Sequence, residues 1–370
     1  MEIIKKQKYL GKLYLLLGAS IFIHYILVIL FSILILFEIF ISKDYKKILK
    51  DRTLITVGVV LGFSIMTSVF YKNILGLVAI PIFLFLVVGR YYTLAVDVEL
   101  KQKVLQIISK SSIVPFFVGI VEFILKKGRI GYFAFFNPNY LGSVMMMGAI
   151  VNLYLFFEKR NKKNILFFLL NMATLFLSGS RSSLIAVILG IFVLLFYFLD
   201  KRYFIFGTLV LLVYILGVYL HVFPFLRMDT FVEYFWLRVE IVQMAIVAFK
   251  RTNFLYGHGN FFYYKFTNHV YPHSHNAIVE FLLSYGLIGT VLLATVFFRY
   301  LYEILKKDRN NILKIALIVG VIFHNLTDFT IFWVQTVLLF IMISSYEEDN
   351  KMIKGYRKIK NEESENYKSY

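Results

Sequence analysis

Apolar segments long enough to cross a bilayer follow one another along most of this chain, near 10–24, 25–42, 54–70, 74–92, 104–125, 138–157, 164–178, 182–199, 203–220, 277–302, 312–325 and 328–346. No soluble globule can hide that much apolar surface: with 59% hydrophobic and 18% aromatic residues, even the outside of such a fold would be apolar. A helix of about 20 apolar residues spans the ~30 Å hydrocarbon core and satisfies its own backbone hydrogen bonds there. The chain therefore reads as an all-α integral membrane protein with about twelve transmembrane helices.

Charge gives the orientation. The net charge of +18 suggests nucleic acid at first sight, but the basic residues sit in short clusters between apolar runs and form no basic arm, so no nucleic-acid partner is expected. The clusters Lys43 to Arg52, Lys159 to Lys163, Lys201-Arg202 and Lys306 to Arg309 belong in the cytoplasm, with both termini. Residues 10–42 must then be two short spans, because the basic groups on either side both face inward. The apolar stretch 231–249 must not cross, since a span there would turn Lys306 and Lys307 outward. It reads as an amphipathic helix on the outer face, with Arg238 and Gln243 turned toward a cavity or the headgroups. The expected organisation is a polytopic membrane domain over 1–346, with an outer-face loop at 221–275 between candidate spans 9 and 10, and a basic cytoplasmic tail at 347–370. The opening Met1-Glu2-Ile3-Ile4-Lys5-Lys6 precedes no small-residue cleavage signal, so the first apolar run is expected to stay. The absence of cysteine excludes a disulfide framework and thiolate metal ligands.

The outer loop holds five of the seven histidines and ends in Pro272-His273-Ser274-His275-Asn276. Loops on a rigid scaffold are where reactive groups concentrate. A neutral imidazole at His275 can take a proton from a sugar hydroxyl, and Glu280 shares a helical face with Asn276. A structural histidine at the interface is the alternative. His273 and His275 could both ligate a metal in an extended segment, but no carboxylate or cysteine stands near with ligand spacing, so no metal is expected. Arg181, in the short turn Ser178-Gly179-Ser180-Arg181, offers a guanidinium fork suited to a phosphate or diphosphate, or else a snorkelling helix anchor. His324 and Asp328, four apart at the final outer turn, read as hairpin capping or an acceptor contact. Asp97-Val98-Glu99 falls on the inner side and reads as a solvated loop. Gly257-His258-Gly259 has neither the preceding strand nor the Lys-Ser of a phosphate loop. Phe261, Phe262, Tyr263, Tyr264 and Tyr271 are candidates to stack on sugar faces or to anchor the interface.

Taken in order, Ser178-Gly179-Ser180-Arg181, the Arg238 helix leading to Gly257-His258-Gly259-Asn260, and His275-Asn276-Ala277-Ile278-Val279-Glu280 followed by Tyr285-Gly286-Leu287-Ile288-Gly289 resemble the O-antigen ligase and polysaccharide polymerase superfamily, as does Asn137-Pro138-Asn139-Tyr140. The resemblance covers roughly 130–300. It implies an inverting, metal-independent glycosyl transfer without cofactor on the outer face of a bacterial cytoplasmic membrane. The donor would be a glycan on polyprenyl diphosphate, and the acceptor a sugar hydroxyl. By the same resemblance, Arg181 and Arg238 would bind the diphosphate, His275 would be the general base with His273 competing for that role, and Asn276 and Glu280 would contact substrate. A chain-length regulator and a flippase would be its partners. A polymerase of repeat units is preferred to a ligase because the Lys-, Ile-, Phe-, Tyr- and Asn-rich composition suits low-GC bacteria that make capsules. A transporter of polyprenyl-linked glycans is the reading from another class, and would call for charged groups through the middle of the spans.

Overall fold

The computed structural model describes residues 2–126, 128–220, 222, 231–250, 253–307 and 311–347. Residues 223–230 of the expected outer loop and the tail beyond Glu347 lie outside this set. The chain is helical throughout, with no strand among the described residues. It begins with α1 (Glu2–Ser20), α2 (Tyr25–Ile41), the short α3 (Tyr45–Ile48) and α4 (Arg52–Phe70). A 3-10 turn, Ile74–Val78, runs into α5 (Ala79–Ala95), followed by α6 (Val98–Ser111), α7 (Val114–Lys126) and the short α8 (Tyr132–Phe135). Then come α9 (Pro138–Lys159), α10 (Lys162–Ser178), α11 (Arg181–Phe198) and α12 (Lys201–Tyr219). The last part holds α13 (Phe231–Lys250), the short α14 (Phe262–Phe266), α15 (Ala277–Lys307), α16 (Ile312–Thr327) and α17 (Val334–Ser344). Among the described residues, seven stretches are long and apolar enough to cross a membrane: α4, Ile74–Ala95, Val98–Leu125, α9, α11, α12 and most of α15. Three shorter apolar helices, α2, α16 and α17, accompany them. The chain is therefore an integral membrane protein.

Most expected apolar segments coincide with one helix, and the exceptions have polar causes. The segment at 104–125 is two helices that meet near Ser112, where Asn152 Nδ2 of α9 and Asn171 Nδ2 of α10 donate to Ser112 Oγ at 2.9 and 3.0 Å. Buried amides and hydroxyls in an apolar bundle pair with each other because nothing else there can satisfy them. The final segment starts not at 328 but at Val334. Asn325 Oδ1 accepts the amides of Thr330 (3.2 Å) and Ile331 (3.1 Å), bracing residues 328–333 as a turn.

The centre of the bundle is α9, with 89% of its membrane-length window buried against α6, α10, α11, α16 and α17. The opposite extreme is α12, buried over only 6% of its window. Helix α13 packs Ile241, Ala245 and Ala248 against Phe262, Tyr263 and Leu283 of α14 and α15, leaving Phe235 and Trp236 exposed.

One helix is broken. At Gly286 the α15 backbone takes φ 64° and ψ −173°, outside the helical region. The freed groups pair with the preceding loop: the amides of His258 and Gly259 donate to the carbonyls of Leu283 and Ser284, and those of Leu287 and Ile288 donate to Phe254 and Leu255, at 2.8–3.1 Å. Any Cβ at Gly286 would strike the Leu255 carbonyl and the Gly257 nitrogen, so the approach requires glycine. The Gly257-His258-Gly259 sequence thus serves a backbone junction, and its His258 and Gly259 amides are already bonded.

Candidate functional site

The end of the loop is pinned before α15 begins. Asn276 Oδ1 accepts the amides of Ile278 and Val279, both at 3.1 Å, which caps the helix, while its Nδ2 donates to the Leu326 carbonyl of α16 at 2.9 Å. Glu280, 3% exposed, accepts the Ser274 amide at 2.8 Å. Both residues hold the loop by its backbone.

These constraints leave His275 at φ 55°, a left-handed conformation uncommon outside glycine. Its Nδ1 lies 3.2 Å from Asp328 Oδ1, at the start of the braced turn after α16. His273 stacks edge-on to it, with Nε2 at 3.8 Å from the same oxygen. His273 Nδ1 accepts the His275 amide at 3.3 Å, so a neutral His273 must carry its proton on Nε2, facing Asp328. By the same logic His275 donates from Nδ1 to the carboxylate and keeps the lone pair of Nε2, which has no partner among the described residues. The two rings therefore differ: His273 is buried with its Nδ1 taken by the His275 amide, whereas the His275 side chain is 20% exposed.

Burial alone would raise the Asp328 carboxyl, but the hydrogen bond from His275 and the electrostatic influence of the surrounding imidazoles hold it well below the usual carboxylate range. Burial pushes His273 down from 6.5 to about 4, aided by His275 and Arg238 and opposed by Asp328. An ionised carboxylate thus faces two imidazoles, of which His273 is neutral at pH 7. The nitrogens of His273 and His275 and an oxygen of Asp328 lie within 4.8 Å of one another, so this trio can also hold a metal ion.

Both arginines come to the start of α11. Arg238 Nη1 donates to Ser182 Oγ at 3.1 Å, and the Arg181 guanidinium lies 5.7 Å from the Tyr234 ring centre. Tyr234 and Arg238 are one helical turn apart on α13, so the two helices exchange an arginine each. The charge of Arg238 reaches His273 and His324. Between the arginines and the carboxylate runs a buried polar chain: Ser180 Oγ to Ser183 Oγ (2.8 Å), Ser183 Oγ to His324 Nε2 (2.9 Å), and His324 Nδ1 to Thr330 Oγ1 (3.2 Å). Arg129 clamps the turn before Arg181, donating to the Ser178 carbonyl and to Asn139 Oδ1, each at 2.8 Å.

Arg181, Arg238, His273, His275, Asn276 and Glu280 thus gather at one end of the bundle from segments far apart in sequence. Residues 165–294 match the O-antigen ligase (Wzy_C) family model. The matched segment runs from α10 into α15 and contains all six of those residues, while Asp328 lies beyond it. No curated protein matches the chain. The resemblance to the O-antigen ligase and polymerase superfamily, seen in the short motifs, therefore holds over the segment that carries the arginines and histidines.

Asp328, read from sequence as hairpin capping or an acceptor contact, is the partner of His275, a pairing that sequence reasoning missed. Its signal was topological: α15 starts and α16 ends on the same side, so His275 and Asp328 share a face despite 53 residues between them. Asp97, expected in a solvated loop, caps α6 by accepting the Leu100 amide at 2.8 Å.

Proposed function

We propose that this chain is a membrane glycosyltransferase that polymerises lipid-linked repeat units, passing a glycan from polyprenyl diphosphate to a sugar hydroxyl. The observation that carries this reading is the meeting of two guanidinium groups with a carboxylate-held imidazole, within and just beyond an O-antigen ligase segment. In the reaction, the acceptor oxygen attacks the anomeric carbon from the face opposite the leaving group, which inverts that centre. The bond to the diphosphate breaks with its electron pair passing to the diphosphate, and the hydroxyl proton goes to His275 Nε2. Asp328 holds the imidazole in the required tautomer and offsets the charge it gains. Arg181 and Arg238 meet the charge that grows on the diphosphate. Two guanidiniums fill the role a cation would otherwise have, so the transfer is read as metal-independent, with the His273–His275–Asp328 trio serving proton transfer.

The site belongs on the outer face of the bacterial cytoplasmic membrane, with twelve spans and both termini inside, as the basic clusters require. The transporter reading finds less support. The buried polar groups at mid-bundle, Ser109, Ser112, Asn152 and Asn171, are neutral and bond one another.

The decisive experiment supplies purified protein in liposomes with lipid-linked repeats as sole substrate, in the presence of EDTA. A polymerase gives a ladder of products one repeat apart. Transfer only to an added, non-identical acceptor would make the chain a ligase, loss of the ladder in EDTA would restore a metal role, and no transfer to any acceptor would overturn the reading.

A further inference from the structure

Beside the histidine site lies a group of rings that the transfer chemistry does not use. Trp333, at the end of the turn that begins with Asp328, stacks on Tyr140 with centres 4.8 Å apart and planes at 9°, and on Phe136 at 5.7 Å and 27°. Tyr25 closes the group at 5.6 Å from Trp333. Phe136 is 65% exposed and stands at φ 67°, a conformation phenylalanine rarely takes. A strained backbone that holds a large apolar ring outward asks for a use.

Rings at the end of a transmembrane bundle commonly anchor it among lipid headgroups, with the indole N–H reaching the wet side. Trp333 does not fit that use. Its Nε1 donates inward to Gln335 Oε1 at 2.9 Å, and Gln335 is fully buried, with its Nε2 bonded to the Ile21 carbonyl at 2.8 Å. The polar tip is taken up inside the protein, and the exposed ring surface of the group is carried by Phe136. The group also adjoins the site: Phe329, in the same turn, packs against His273 with ring centres 5.9 Å apart, and five residues of chain bound the Asp328–Trp333 separation at about 18 Å. A short oligosaccharide covers that distance.

We infer that Phe136, Trp333 and Tyr140 form a glycan subsite, on which the apolar faces of pyranose rings of the acceptor stack while its terminal hydroxyl reaches His275. The identity of the ligand rests on the glycosyl-transfer reading above. The acceptor takes this place because the rings share a turn with Asp328, which holds the base, whereas the arginines that suit the donor's diphosphate lie on α11 and α13.

The chain has two tryptophans, so Trp236→Phe leaves Trp333 as sole reporter. That variant is placed in nanodiscs and titrated with water-soluble glycan fragments, free of lipid and diphosphate, released by mild acid from the producing cell's surface polysaccharide. A saturable change in Trp333 fluorescence is expected, with Phe136→Ala in the same background weakening the apparent affinity about three- to tenfold. Nanodiscs of brominated phosphatidylcholine should leave the Trp333 emission unquenched. Quenching by the brominated lipid would make the rings an interfacial anchor, and absence of any response to the free fragment would also overturn the subsite. Because this readout needs no turnover, its failure alongside a product ladder would remove the subsite alone, and a response without a ladder would remove the transferase reading alone.

Discussion

Asp328 Oδ1 sits 3.2 Å from His275 Nδ1, so the carboxylate selects which nitrogen of that ring is basic. Asp328→Asn keeps the size of the side chain but removes the charge and permits the wrong tautomer. Turnover should fall about 10²- to 10⁴-fold, with donor affinity little changed. Single-turnover rates on lipid-linked substrate measure the first quantity and equilibrium binding the second. A variant with normal turnover would take Asp328 out of the mechanism.

His273 gives the loop a pH dependence of defined sign. Its folded value, about 4, lies below the ordinary 6.5, so the fold prefers the neutral ring. The stabilisation is complete above about pH 6.5 and is lost as pH falls toward 4. Hydrogen exchange of residues 271–276 should accelerate on going from pH 7 to pH 5 after correction for intrinsic rates, and His273→Asn should flatten that change. Equal slopes in both proteins would show that another group controls the loop.

Lysine in place of either arginine separates charge from geometry. Arg181→Lys and Arg238→Lys keep a cation but lose the fork that binds two oxygens, and kcat/KM should drop about ten- to a hundredfold in each. Ser182→Ala removes only the group that receives Arg238 and should cost less than about tenfold. Full activity in both lysine variants would mean that the diphosphate lies elsewhere.

Orientation is testable because the chain has no native cysteine. Single cysteines at the exposed positions Lys163 and Val270 should react oppositely with an impermeant maleimide in intact cells, Val270 being labelled. Tyr263, an obvious choice from sequence, is unsuitable, since it is fully buried with its hydroxyl bonded to the Ile241 carbonyl. Labelling at Lys163 alone would invert the map.

Most helices were legible because apolar runs and basic gaps state where a chain crosses lipid. Residues 231–250 were legible as a helix for the same reason, with Arg238 turned toward Ser182 of α11. What escaped were pairings that only the fold creates. Nothing near Asp328 in sequence announces His275, and the i, i+4 relation of Asn276 and Glu280 suggested two side chains toward substrate where each instead bonds backbone. The glycines at 257 and 286 carry meaning only once the loop and the broken helix lie side by side. The turn of Arg181 pointed to a phosphate or to a helix anchor, but its place beside the Tyr234 ring depends on how α13 docks.

The enclosure of α9 also has a consequence for biosynthesis. Its neighbours α10 and α11 follow it directly, but α16 and α17 complete its coat only after α12 to α15 have been made. The turn between those last two helices delivers Asp328 and Trp333. A nascent chain therefore carries Arg181, Arg238, His273 and His275 into the membrane before the carboxylate that organises them, and the site is assembled only with the α16–α17 hairpin.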